Sequence, residues 1–480
     1  MFRQNVARPA VPREILVGRS VEIAARRAGV PRLKRYPSPG RDLAGFRRAV
    51  QYRADQYDPR SRTMPVGAGR LDTTTGGWVK RSNGSSGPAV LVAPSDFRAG
   101  PWACRSLEAA GYRVIGAHTA GVGAGGRSLA CPRPRRYPSP TDAPDRFVAA
   151  LREIVAQESV AAILPASEDV VRVLADHHAD LGAVLVSPDR EQYRRLCDKA
   201  HLGASAAAAG VGHPVSATVG AHGADGPLPT LPSVVKPRVS GEDMHGAAVA
   251  FGVHTEQERE RAVNALLAEG RDALVQELLE GPRWFGHSVG LGDDFRFAAF
   301  AAFADYPRGS GPASFLRTAR PPAGMRESTR RLVEAVGYAG PCSLSFIESG
   351  GRLLVHDVNL RLGATVGASI RSGFDLPRLA VDIALGTAIP PEEQALRAIT
   401  YVRLDGELGA GMDELHGRGT GESPRELLGR VAKGLVAPSW MLDPSPLDPY
   451  FLGTLAGRRL LTTARAGRRR ISSRHRSADG

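Results

Sequence analysis

Lysine is nearly absent from this chain. Of 480 residues 63 are basic, yet only five are lysine: Lys34, Lys80, Lys199, Lys236 and Lys433. Arginine fills nearly every other basic position. A retained lysine therefore marks a place where a compact ammonium is needed, as it is when a side chain reaches a phosphate. Cysteine is scarce as well. Cys104, Cys131, Cys197 and Cys342 lie far apart in sequence with no CxxC pair, which argues against a disulfide framework or structural zinc site and fits a reducing cytoplasm. No run of about 18 apolar residues occurs, so no transmembrane segment is expected. The opening MFRQNVARPAVPRE lacks an apolar stretch of the kind a secretory signal needs.

A net charge of +14 suggests a nucleic-acid partner until it is divided along the chain. Residues 1–87 carry +12 and residues 458–480 carry +7, so residues 88–457 carry −5 of that total. A slightly acidic body has no basic stripe to follow a phosphate backbone, and no dedicated nucleic-acid site is expected. Residues 1–87 have weak periodicity, are rich in Arg, Pro and Gly, and end in the linker-like SNGSSG, so they read as a basic, largely disordered extension. Within them Lys34-Arg35-Tyr36-Pro37-Ser38-Pro39 is echoed by Arg135-Arg136-Tyr137-Pro138-Ser139-Pro140. The echo is either a truncated duplicate or a coincidence of composition.

From Ala89 short β-branched runs alternate with helical stretches. AVLVAP (89–94), RVIGAHT (113–119), AAILPA (161–166) and AVLVS (183–187) read as strands, with helices ending at 111, over 147–158 and over 168–181. This spacing predicts a doubly wound parallel sheet over residues 88–195. Ligands of such sheets sit at the carboxyl ends of the strands, which points to Pro94, Ser95 and Pro165 to Glu168. A helix at 189–209 leads to a second, small α/β unit at about 212–275. From Trp284 the pattern becomes antiparallel. Past residue 390 it weakens: TYVRLDGELG suggests a strand pair, and SWMLDPSPLDPYF gives no clear period.

The strongest single element is a hairpin. Ser343 to Glu348 runs into the turn Ser349-Gly350-Gly351 and returns as Arg352 to Asn359. Residues two apart in a strand share a face, so Asp357 and Asn359 stand side by side with Arg361 just beyond. A carboxylate and an amide oxygen so placed suit a hard cation carrying phosphate oxygens. The same three residues also suit a strand-end turn with an ion pair.

Five motifs, in order and at consistent spacing, resemble the ATP-grasp superfamily, in its carboxylate–amine ligase and carbamoyl-phosphate-synthase-like branch. Cys197-Asp198-Lys199 opens a helix that ends at the Gly210 to Pro214 turn. Val234-Val235-Lys236-Pro237 precedes a flexible loop, Ser240 to Gly246. Val275 to Gly281 resembles the hinge that meets adenine. Val336 to Gly340 leads into the hairpin, and DVNLRLGATVG (357–367) resembles the metal and phosphate signature. The resemblance covers roughly 89–390. It implies an α/β ATP-grasp fold: an amino-terminal doubly wound lobe at 88–195, and an ATP-grasp domain at 196–390 whose small α/β lid joins an antiparallel catalytic lobe. A carboxyl-terminal extension with a basic tail follows at 391–480.

The resemblance also implies ATP as cofactor, with Mg²⁺ or alternatively Mn²⁺. Lys199, Lys236, Ser240, Gly241, Gln276, Glu277 and Leu279 would bind the nucleotide, and Asp357 and Asn359 the metal. Lys236 and Arg361 would act on the transferred phosphoryl, although Arg361 also suits a structural salt bridge. Arg308 and Arg317 are candidates for a substrate carboxylate. Small-molecule carboxylate and amine substrates are implied as partners, an amino acid or short peptide among them, and a homodimer is left open.

Three departures from the family pattern stand out. The first metal carboxylate, expected twelve residues before Asp357, falls on Ser345. Asp357 is itself shorter than the usual Glu. The ribose-binding acid falls on Gly286. Glu348 lies on the opposite strand face and would need a bulge to substitute, and His356 should point away from Asp357. An ATP-binding pseudoenzyme is therefore the alternative to a ligase. An adaptor working through the basic ends, with Tyr450-Phe451-Leu452 at an interface, is a third.

Overall fold

The computed structural model describes residues 87–443 except 97, 120–130, 132–133, 178–179, 240–249, 307–310, 392–395, 418 and 420. Ser240, Gly241, Arg308, the first copy of the RYPSP echo, Tyr450 to Leu452 and nearly all of both basic ends lie outside the described residues. Among the described residues no helix is long and apolar enough to cross a membrane.

The amino-terminal lobe contains strands β1 (Ala89–Ala93), β2 (Arg113–Thr119), β3 (Arg135–Tyr137), β4 (Val160–Pro165) and β5 (Val184–Leu185). They form a parallel sheet in the order β3-β2-β1-β4-β5. Helices α1 (Ala99–Ala109), α2 (Pro144–Glu158) and α3 (Glu168–Leu174) connect them. All five residues of β1 are buried, as a central strand covered on both faces must be. The second copy of the RYPSP echo supplies β3, where Tyr137 is buried edge-on against Phe147 of α2 with ring centroids 4.9 Å apart.

The helix expected over 189–209 is two helices, α4 (Arg190–Leu196) and α5 (Lys199–Ala208). Asp198 breaks it. Its carboxylate accepts from the Ala200 amide at 3.0 Å and so starts a new helix, the usual preference of Asp for the cap position. Lys199 thereby becomes the first residue of α5.

The second lobe is an antiparallel sheet of β6 (Ser216–Gly220), β7 (Gly223–Ala224), β8 (Ser233–Pro237), β9 (Phe251–Val253) and β10 (Ala273–Glu277), ordered β7-β6-β10-β8-β9. One face packs on α6 (Glu256–Ala268) through Val235, Val253, Ala273 and Val275. By strand alternation Val234, Lys236, Leu274 and Gln276 take the other face.

The largest sheet has seven strands: β11 (Arg283–Val289), β12 (Arg296–Asp305), β13 (Ala313–Thr318), β14 (Cys342–Ser349), β15 (Arg352–Asn359), β16 (Thr400–Arg403) and β17 (Trp440–Asp443). Their order is β15-β14-β11-β12-β13-β16-β17, antiparallel except for β16 with β17. One face carries Trp284, Ala299, Phe346 and Val355 against α5 and α7 (Met325–Val336). The other packs Ala298, Phe300 and Leu316 with α8 (Val366–Ser372), α9 (Leu376–Ala384) and Trp102 of α1.

TYVRLDGELG is not a strand pair. Strand β16 passes directly into α10 (Leu404–Leu415), and α11 (Pro424–Val436) follows before β17. The glycines that suggested a turn serve close packing instead: a Cβ on Gly409 would lie 2.3 Å from the Tyr306 ring. Strands β16 and β17 thus belong to the large sheet. Asp443 at its edge accepts from Trp102 Nε1 at 2.8 Å and Tyr401 Oη at 2.6 Å, all three side chains buried.

Sequence distance misleads for two of the cysteines. Cys104 Sγ lies 3.0 Å from Cys131 Sγ, both buried. Burial, and then its neighbour, push the Cys104 thiol well above its usual range, which makes it a packing group and not a nucleophile.

The second lobe joins the large sheet through residues 278–282. Gly281 has φ +148, and a Cβ there would meet the Glu348 carbonyl oxygen at 1.9 Å. Gly281→Ala should therefore lower stability by about 1–3 kcal/mol, the strain of a disfavoured backbone state. Equilibrium urea unfolding measures it, and an unchanged midpoint would show that the junction yields freely.

Candidate functional site

Lys199, at the start of α5, is buried, and its Nζ lies 3.5 Å from Asp357 Oδ1 on β15. Lys236, on β8, reaches across from the small sheet. Its Nζ donates to Gln276 Oε1 at 3.0 Å and to the His356 carbonyl at 3.1 Å. Asn359 Nδ2 donates to Asp357 Oδ2 at 2.8 Å. Two of the five lysines and the acid–amide pair, drawn from three separate segments, therefore meet at one place.

The neighbourhood is electropositive. Burial first, then Lys199, lower Lys236 to about 8, with Asp357 opposing. Burial and Lys236 push His213 down to about 4 and His356 to about 3, so both rings are neutral near pH 7. Asp357 is held below its ordinary range by Lys199 and then Lys236, which together outweigh its burial. Lys236 makes no ion pair among the described residues. Gln276 Nε2 is buried and has no hydrogen-bond acceptor among them. Buried donors without partners are the exception in folded proteins.

The hairpin geometry corrects two expectations, for His356 and Gly286, and leaves Glu348 where expected. Ser345 stands directly opposite Asp357, but the next pair is Phe346 with Val355, so His356 is an extra residue in β15. Val355 and Val358 both enter the core beside α5 and α7, which leaves His356 and Asp357 together on the other face, as a bulge requires. His356 therefore does not point away from Asp357. The extra residue lies in β15 and not in β14, so Glu348, paired with Leu353, stays on the opposite face from Ser345. Gly286 is also not a lost ribose acid. A Cβ there would meet Phe297 and Met325 within the core, at 2.9 and 3.3 Å, whereas Phe285 and His287, paired with Ser345 and Ser343, take the site face.

Arg361 is buried. Its Nε donates to Glu168 Oε2 at 2.8 Å and its Nη1 to the Leu362 carbonyl at 3.0 Å, while Nη2 lies 3.5 Å from Asn359 Oδ1. Glu168, first residue of α3, also accepts from Tyr193 Oη at 2.8 Å. The end of β4 thus meets the hairpin, and Arg361 does salt-bridge service whatever else it does. Arg317 lies over the rings of Phe303 and Phe315, at 5.3 Å from each. It pairs with Ala301, which faces away from Asp357 with the α7 side of the core, so it is removed as a substrate-carboxylate candidate.

At the hinge the Glu277 amide is committed to the Val215 carbonyl at 2.9 Å and the Leu278 amide to the Pro232 carbonyl at 3.2 Å. Strand β10 ends at Glu277, so Leu279 lies beyond the ladder. Sequence reasoning missed one connection. Arg238 donates from Nε to both Asp198 oxygens, at 2.9 and 3.1 Å, and from Nη2 at 2.8 Å. The Lys199 amide donates to the Arg238 carbonyl at 3.3 Å. The second lobe therefore clamps the turn that aims Lys199.

A divalent cation needs oxygen ligands. Among the described residues the hairpin offers the Asp357 carboxylate, already facing two N–H donors, with Ser345 opposite it. Among the described residues no three His, Cys, Asp or Glu gather to hold a metal. This donor set does not fit a resident pair of ions.

No protein-family model matches the sequence, and no curated protein does. Solved structures do match. Biotin carboxylase from Campylobacter jejuni, in a β,γ-ATP complex, aligns at TM-score 0.52 and 16% identity over 66% of this chain and 75% of that one. L-amino acid ligase from Bacillus licheniformis aligns at 0.51 and 15%, over 62% and 74%. The biotin carboxylase domain dimer of the Hydrogenobacter thermophilus 2-oxoglutarate carboxylase, with MgADP, ADP and bicarbonate, aligns at 0.51 and 16%, over 65% and 72%. The fold is the ATP-grasp fold, with its parallel-sheet lobe, small lid and antiparallel sheet.

The Glu168–Arg361 pair can be tested without a ligand. Removing one partner of a buried ion pair strands the other, at a cost of about 3–5 kcal/mol. Glu168→Gln and Arg361→Met should each destabilise on that scale and the double variant by less than their sum, as read from denaturant unfolding. Additive losses would mean the pair is not coupled.

Proposed function

We propose that this protein binds ATP between its small and large sheets and uses it to join a carboxylate to an amine. The observation that carries the proposal is the convergence of two ammonium groups beside Asp357, together with a buried carboxamide N–H₂ that has no acceptor among the described residues. Like charges held together away from water are costly unless an anion joins them. A triphosphate would relieve that cost. The fold supports the choice, since the solved neighbours include one with β,γ-ATP, one with MgADP, and an L-amino acid ligase.

In this proposal the adenine ring lies at the hinge beside Gln276, Glu277 and Leu279, with Leu279 supplying backbone contacts. Lys199 and Lys236 take the phosphates, and Ser240 and Gly241 close over them. An oxygen of the substrate carboxylate attacks the γ-phosphorus, and the bond to the β-bridging oxygen breaks to release ADP. The amine then attacks the acyl carbon, phosphate leaves, and the amine loses its proton. The protein positions the groups and neutralises charge, which is most of what phosphoryl transfer asks of it. Arg361 supports this by fixing Asn359 and, through Glu168, the strand end where substrate would enter. An amino acid or short peptide is the substrate class we favour.

Mg²⁺, or Mn²⁺ in its stead, would enter with the nucleotide and add charge neutralisation at Asp357 and Asn359. Ser345, opposite Asp357, favours a second reading in which the protein binds nucleotide without turning it over. A screen for ADP and phosphate release across carboxylate–amine pairs separates the two. ATP binding with no release for any pair would leave the second reading.

Lys236→Ala should weaken ATP binding about 10- to 100-fold, the worth of one hydrogen bond to a charged group. Unchanged affinity would end the assignment. The pH dependence has a definite sign. Lys236 titrates at about 8 in the folded chain against an ordinary 10.5, so between those values the unfolded chain binds more protons and this residue's contribution to stability rises with pH. Triphosphate beside Nζ favours the ammonium, so binding should take up protons near pH 8 to 9 and weaken above it. Calorimetry in buffers of different ionisation enthalpy reads the uptake, and none in that window would contradict it.

A further inference from the structure

We propose that the site neutralises a bound triphosphate with its own ammonium groups in place of a protein-held pair of divalent cations, so that ATP binds in the absence of Mg²⁺. The proposal rests on the nucleotide reading above and concerns what that site requires.

Its basis is the allocation of three acids among the described residues, Asp357, Glu168 and Asp198. Asp357 has Oδ2 accepting from Asn359 at 2.8 Å and Oδ1 facing Lys199 at 3.5 Å. Glu168 holds Arg361 and Tyr193. Asp198 holds Arg238. On the strand opposite Asp357 and Asn359 stand Ser345 and Ser343, whose hydroxyls carry no charge to hold a hard cation. Binding Mg²⁺ from solution at Asp357 would mean displacing Lys199 from its carboxylate.

The cations tell the complementary story. Lys199 and Lys236 converge from two lobes, and Lys236 rests on neutral carbonyl oxygens and not on an acid. A metal-free triphosphate of about four negative charges gains most where fixed positive groups are already desolvated. Its oxygens can also accept from Gln276 Nε2, which has no other acceptor among the described residues. The backbone bulge at His356 turns one more carbonyl toward Lys236 and holds its Nζ in place.

The experiment is an ATP titration by calorimetry on the full chain, in excess Mg²⁺ and in EDTA, for the native protein, Ser345→Glu and Ser345→Asp. Thermal melting confirms that each variant is folded. The native protein should differ by less than about threefold between the two conditions, under 0.7 kcal/mol by the affinity relation. A carboxylate installed opposite Asp357 should weaken binding about tenfold in EDTA, and Mg²⁺ should restore it. Native binding weakened more than about tenfold by EDTA would overturn the proposal, as would a folded acidic variant that binds equally well in both conditions. Failure of the underlying reading looks different: a folded native protein with no saturable ATP binding in either condition. If neither acidic variant folds, the native comparison alone decides.

Discussion

The contact between Lys199 and Asp357 organises the centre of this molecule. It joins the first residue of a helix that follows the amino-terminal lobe to the edge strand of the largest sheet. Everything near it is arranged around the resulting charge. Asp198 caps the helix so that Lys199 is aimed, Arg238 reaches from the small sheet to hold Asp198, and Lys236 approaches from that same sheet. A second ion pair, Glu168 with Arg361, ties the parallel sheet to the other side of the hairpin. Between the amino-terminal lobe and the large sheet these charged groups sit beside an apolar interface that includes Trp102, Phe300 and Leu316.

That arrangement explains the unusual lysine usage. An arginine at 199 or 236 would present a wide planar fork, already suited to a carboxylate and poorly suited to the narrow space between a strand and a helix end. An ammonium can rest on two carbonyl oxygens, as Lys236 does, and still present a third proton. The same economy accounts for the neutral histidines. His213 and His356 fill the space around Lys236 and, at ordinary pH, add no charge to a region that already has an excess.

Much of this was legible in the sequence. The alternation of β-branched runs and amphipathic stretches gave the parallel lobe, and the hairpin was bounded correctly by its Gly350-Gly351 turn. Two of the scarce lysines, Lys199 and Lys236, converge beside Asp357. What escaped was parity. One inserted residue at His356 reverses which side chains face the site, and the only trace is a slip in the apolar spacing from Leu353 and Val355 to Val358 and Leu360. Gly286 misled for a related reason: counting residues from a motif assigns a position but not a face. Gly409 misled because glycine signals both turns and tight packing, and only the Tyr306 ring shows which applies. Partnerships such as Arg238 with Asp198, between different lobes, leave no local pattern to read.

The hydrogen bond from Trp102 to Asp443 spans 341 residues of chain. It has a consequence for how the protein is made. Helix α1 precedes by 341 residues the carboxylate that accepts from its indole, which arrives with the last described strand. The face that the amino-terminal lobe turns to the large sheet stays incomplete until that strand is in place. Such long-range closure slows folding and leaves apolar surface waiting. The buried Trp102 would be the side chain that waits longest.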